Sequence, residues 1–107
     1  MTDKTFPIDL ADGTYQLKFD NNALYRFEEV QGESAVMVIM RGVTGIRPLN
    51  HFIWAGLLHE YPTMSVQQVI KLVDSHKIQQ YARTVSEAVD YALSTGEEDE
   101  DPKKKPM

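Results

Sequence analysis

With 107 residues, 42% of them apolar, the chain has the length for one domain and the composition for one modest core. Its net charge of −5 at pH 7 weighs against a nucleic-acid role, since a phosphate footprint needs positive charge. The absence of cysteine excludes disulfides and thiolate metal sites, and no apolar run approaches the roughly 20 residues that span a bilayer.

The first residues, MTDKTFPIDL, have no apolar h-region and do not read as a secretory signal. Phe6, Ile8 and Leu10 alternate, as do Tyr15, Leu17 and Phe19, with Asp12-Gly13 between the runs. Two period-2 runs around Asp-Gly predict a β-hairpin. A two-stranded ribbon with one apolar face is not stable alone, so helices must cover it.

The first helix opens at Asp20-Asn21-Asn22, good N-cap residues, and turns Leu24, Phe27 and Val30 inward. Tyr25 falls off that stripe, and Glu28 and Glu29 read as solvated. Gly32 is a natural stop. Ser34 then caps a short helix, Ala35–Arg41, ending at Gly42. Its six consecutive apolar residues leave no polar face. A small core needs about half of them; the rest must meet a second layer, a partner or another copy of the chain. Met37 and Met40 are adaptable side chains of the kind found on surfaces that accept varied partners.

Val43–Arg47 connects to the central helix, Pro48–Tyr61. There Leu49, Phe52, Ile53 and Leu57 share one face, and Trp54, Leu58 and Tyr61 a second. Two apolar faces predict burial on both sides. Trp54, the only tryptophan, is expected between the hairpin and the last two helices. Pro48 suits the first helical position, and Tyr61-Pro62 ends the helix. Gly56 costs roughly 1 kcal/mol relative to alanine in mid-helix and marks a place where another backbone comes close.

Ser65 and Gln68 form an S-x-x-Q capping box, with Met64 and Val69 placed as a hydrophobic staple. Val66, Val69, Ile70 and Val73 make the next stripe. The phase slips near Asp74-Ser75-His76. A last helix starts near Lys77, with Ile78, Ala82, Val85, Val89 and Ala92 on one face, and closes at Gly96. The remaining EEDEDPKKKPM has the composition of a disordered tail. No internal repeat or interdomain linker is present. The prediction is an α+β fold: one domain over 1–96, an N-terminal β-hairpin packed on a small bundle of four to five helices, then a disordered charged tail over 97–107.

No constellation of residues carries chemistry. His59-Glu60 matches the start of H-E-x-x-H, but the second histidine is missing and Pro62 breaks the helix. His51 and His59, eight residues apart, cannot share one metal from a single helix. No serine lies in a G-x-S-x-G context. Asp12-Gly13 lacks calcium-loop spacing. Gly42-Val-Thr-Gly45 is too short and too poor in basic residues for a phosphate loop. The residues therefore predict a non-enzymatic protein with no cofactor and no metal. The candidate partner-binding residues are Met37, Met40, Val43 and Ile46.

These blocks together resemble a known family. The hairpin, then Asn22-Ala-Leu-Tyr-Arg-Phe-Glu-Glu29, Gly32, Ile53-Trp-Ala-Gly-Leu-Leu-His-Glu60, Pro62 and Met64-Ser-Val-Gln-Gln-Val69 are similar, over about residues 6–96, to the tail assembly chaperones of long-tailed phages. The closest branch is the one shared with gene transfer agents. His76 departs from the pattern, which has a glycine between the last two helices. The resemblance implies a protein that binds the tape measure protein, keeps it soluble and helps recruit tail tube subunits. It implies action in the cytoplasm of the bacterial host and absence from the mature virion, with no membrane or nucleic-acid partner. It also implies that Lys103–Lys105 could mark a ribosomal slip site from which a longer product arises; the alternative is a solubilising tail.

Two other readings stay open. One is a tail structural or completion protein retained in the virion. The other is a helix-turn-helix over Ser65–Val73 and Lys77–Val89. Lys71, Lys77 and Arg83 are the only basic residues there, against Asp74, Glu87 and Asp90, which is little charge for a phosphate footprint.

Overall fold

Phe6–Leu10 (β1) and Gly13–Leu17 (β2) pair antiparallel in the computed structural model, which describes residues 4–104, with side chains described for 4–94. Leu10 pairs with Gly13, so the loop is Ala11-Asp12, one residue earlier than expected. Gly13 leaves the turn at φ 148°, where a side chain is strained. Ile8, Leu10 and Leu17 are buried on the covered face of the hairpin.

Among the described residues, five α-helices follow: α1 (Asn21–Gln31), α2 (Ala35–Arg41), α3 (Ile46–Leu57), α4 (Val66–Leu72) and α5 (Ile78–Lys104). The fold is α+β, as the alternation of periods two and 3.6 predicts. The local stop and start signals work as written in the sequence. Asp20 accepts from the Ala23 amide at 2.9 Å, and Gly32 closes α1 in the left-handed conformation. The Ser65 hydroxyl accepts from the Gln68 amide at 3.1 Å, while the Gln68 side chain accepts from the Ser65 amide at 2.8 Å. That reciprocal pair is the capping box.

Helix α3 is the centre of the molecule. It packs against α1, α4, α5 and β2, and Phe52 through Leu58 are buried without interruption. Phe27 of α1 stacks on Phe52 with ring centroids 3.7 Å apart, and Phe19 meets the same ring edge-on. Gly56 has the expected reason. The Lys18 amide donates to its carbonyl at 3.0 Å, and a Cβ there would stand 2.8 Å from the Phe19 ring and 2.9 Å from Leu17. The hairpin's exit thus presses directly on the helix. Three further hydrogen bonds fasten it: Tyr81 Oη to the Asp9 carbonyl at 2.7 Å, the Ala11 amide to the Leu72 carbonyl at 2.8 Å, and a His59 Nε2 contact with the Gln16 carbonyl at 2.8 Å.

Several expectations need correction. Helix α3 starts at Ile46, behind an extended Gly45, and Pro48 is its third residue. The first four amides of a helix have no internal partner, so proline is tolerated throughout that turn. The helix ends at Leu57, not Tyr61. The Glu60 and Tyr61 amides both bond the Leu57 carbonyl in a tightened turn ahead of Pro62, and Tyr61 is exposed. Trp54 is buried, but its indole donates to the Met64 carbonyl at 2.8 Å and Arg26 lies over its ring. Its polar edge therefore faces the connector into α4, and its ring faces α1. Val30 and Ile70 are exposed rather than inward, because no second layer among the described residues covers those sides of α1 and α4. His76 lies in a 3-10 turn, Ser75–Lys77, whose backbone has no need of glycine.

Helix α5 continues through Gly96 to Lys104. One glycine lowers helix propensity by about 1 kcal/mol without forcing a stop. The expected disordered tail begins within this stretch; side chains beyond Ser94 and all of 105–107, including Lys105, lie outside the described residues.

Candidate functional site

Helix α2 is seven residues long and capped at both ends. The Ser34 hydroxyl accepts from the Met37 amide at 3.2 Å, and the Glu28 carboxylate accepts from the Ala35 amide at 2.7 Å. Glu28 is exposed, yet it secures the start of α2 to α1 rather than being merely solvated. Ala35 and Val38 enter the core, and Ile39 is half-buried against it. The opposite side is left to solvent: Val36 is exposed, Met37 is 58% exposed and Met40 76%. Among the described residues, no neighbouring helix therefore absorbs the apolar surplus in the sequence.

The four candidate residues do not form one surface. Met37 and Met40 are on the open side of α2. Val43 is 8% exposed and belongs to the core, so it is no partner-binding residue. The connector after Gly42 turns inward there and uses Val43 to seal the bundle. Ile46 is 59% exposed, but it lines a groove of about 450 Å³ between the start of α3 and α4, shared with Arg47, Asn50, His51, Val66 and Ile70.

A polar relay separates α2 from that groove. Arg41 pairs with Glu33 at 3.0 Å. The Gln31 amide nitrogen donates to Glu33 at 2.9 Å, and its oxygen faces His51 Nδ1 at 2.6 Å. With the Gln31 nitrogen committed to Glu33, Nδ1 is the protonated nitrogen of neutral His51. The Gln31 hydrogen bond, then the Arg41 bond, holds the Glu33 carboxyl below the usual carboxylate range. Burial, and second the Arg47 charge, holds His51 below the ordinary imidazole value.

That shift has a measurable sign. As pH falls below the ordinary value of 6.5, the unfolded chain takes up a proton before the folded one does. Stability present at neutral pH therefore declines until the folded imidazole also protonates. Urea melts at about pH 7.5 and about pH 5.5 should show the wild type less stable at the lower pH, and His51→Gln should shrink the difference. An unchanged difference in the variant would assign the effect to other groups.

Asn50 is the residue that sequence reasoning missed. It is 5% exposed, donates from Nδ2 to the Ile46 carbonyl at 2.9 Å, and its Oδ1 accepts from no described residue. The signal was present: Asn50 lies one turn before Trp54 on the second apolar stripe of α3. A polar side chain on such a stripe is buried and calls for a partner.

Elsewhere, a shallow depression at the start of α5 is lined by His76, Lys77 and Arg83, with the acidic Asp74 beside it in sequence. Among the described residues, no three acidic or histidine side chains are grouped to hold a metal ion. No helix among them is long and apolar enough to cross a membrane. No protein-family model, curated protein or solved structure matches the chain.

Proposed function

We propose that this protein is a non-enzymatic tail assembly chaperone of the long-tailed phage type, which binds the tape measure protein, keeps it soluble and helps recruit tail tube subunits. The observation that carries this reading is the uncovered side of α2. A capped, well-seated helix holds Val36, Met37 and Met40 in water. An apolar patch of that kind is a liability unless something covers it. Unbranched, polarisable methionines adapt to many apolar sequences, which suits a client that is a long helical chain. The hairpin followed by helices also agrees in order with the resemblance drawn from the sequence. On this reading the protein acts in the host cytoplasm and leaves before the virion is complete.

The test is co-expression with the tape measure protein of the same phage, followed by measurement of the client's soluble fraction. Wild type should keep the client soluble. Met37→Asp and Met40→Asp, made separately, should each fold with a melting temperature near wild type and lose that effect. Retained client solubility in both variants would sink the role of α2. Detection of the protein in purified virions at stoichiometric levels would favour a retained tail component instead.

A further inference from the structure

The methionines of this chain are not equivalent. Met37 is 58% exposed and Met40 76%, and their spacing of three puts both on one face of α2. Met64 is half-buried against the core, and its carbonyl is held by the Trp54 indole at 2.8 Å. On the open side of α2 the two thioethers are the groups an oxidant can change, since the exposed Val36 is an inert hydrocarbon. The bonds and contacts that seat the helix lie elsewhere. Its start is held by Ser34 and Glu28, and its core contacts come from Ala35 and Val38 at 2% and 1% exposure. Its end is held by the Gly42 amide on the Ile39 carbonyl and by the Arg41 pair with Glu33. The sulfurs can therefore change chemically without loosening α2.

We infer that Met37 and Met40 are a reversible oxidation site: peroxide converts both to sulfoxides and turns the open side of α2 from apolar to polar while the fold stays intact. A lone pair on sulfur attacks one oxygen of hydrogen peroxide, and the O–O bond breaks. The departing hydroxide takes the proton from the new sulfur-bound hydroxyl and leaves as water. The sulfur loses two electrons and the peroxide gains them. A dithiol-dependent sulfoxide reductase reverses the step, the oxygen leaving as water while two thiols become a disulfide. A sulfoxide is polar and accepts hydrogen bonds, so it holds water where an apolar partner would displace it. The consequence for the client rests on the chaperone reading: oxidised protein should no longer keep the tape measure protein soluble, and reduction should restore that ability.

The test treats the full chain with hydrogen peroxide and reads oxygen uptake at each methionine by peptide mass mapping. Met40 and Met37 should react several times faster than Met64, because exposure governs access to the sulfur. The oxidised protein should melt near the temperature of the untreated protein but leave a phenyl column earlier, and sulfoxide reductase should restore its retention. The double variant Met37→Leu with Met40→Leu keeps the apolar volume and has no thioether on α2. Its retention should be unchanged by peroxide, which separates α2 from the remaining methionines. Three results would each overturn the inference: Met64 oxidised as fast as Met40, a melting temperature that drops by more than a few degrees on oxidation, or the same loss of retention in the leucine variant. A client aggregation assay adds the functional arm. Protein that protects the client equally before and after oxidation would overturn the inference and spare the chaperone reading. Protein that fails before oxidation would sink that reading, and the mass-mapping and column results then decide the inference alone.

Discussion

Trp54→Ala should lower the unfolding free energy by roughly 3–5 kcal/mol, the range for truncating a buried large aromatic. A small domain has only about 5–15 kcal/mol in total, so much of its stability would go. Two losses combine. The indole is 5% exposed, so its removal leaves a cavity beside α1, where Arg26 now covers the ring. The Met64 carbonyl also loses its 2.8 Å donor just before the Ser65 capping box. Trp54→Phe separates the two. It refills much of the cavity without restoring the donor, and should recover more than half of the loss. Denaturant melts measure both, and an alanine variant that melts within a few degrees of wild type would show that α3 is not the centre of the core.

Val43→Asp should unfold the protein or destabilise it by about 3–5 kcal/mol, the cost of an uncompensated buried charge. Met40→Asp, only three residues upstream, should change stability by no more than about 0.5 kcal/mol, as exposed substitutions usually do. The contrast follows from 8% against 76% exposure. It matters for function because an apolar-to-acid change is the natural probe of client binding. At Met40 it reports on the surface; at Val43 it would abolish client solubility by unfolding and imitate a binding defect. Thermal melts of the two variants side by side check this, and a stable, soluble Val43→Asp would return that residue to the surface.

The candidate site was partly legible in the sequence. The absence of a polar face on Ala35–Arg41 correctly signalled more apolar surface than a core of this size uses, and the open side of α2 carries it. Asn50 was equally visible as a polar interruption of an apolar stripe, but it carries no charge and belongs to no motif. Its importance lies in a buried oxygen with no partner among the described residues, which depends on tertiary packing and not on local pattern. The groove itself joins residues 24 positions apart, Ile46 and Ile70, and no local pattern links the two.

What the sequence determined by itself is whatever depends on neighbours within about four residues. Asp20, Ser34 and Ser65 cap the helices they precede because each cap is a bond from a side chain to an amide two or three residues ahead. Gly32 ends α1, and the alternation over Phe6–Leu17 makes the hairpin, for equally local reasons. The doubled apolar face of α3 likewise announced its burial on both sides. What only the tertiary structure decided is which apolar side chains find cover. Periodicity says that a helix has an apolar face but not how many neighbours it will meet. Val30, Met40 and Ile70 are left exposed where no second layer exists. Val43, in a connector without periodicity, is buried because the chain crosses the bundle there. The cost of exposing an apolar residue is set by the atoms that would replace water around it, and those atoms come from elements remote in the chain.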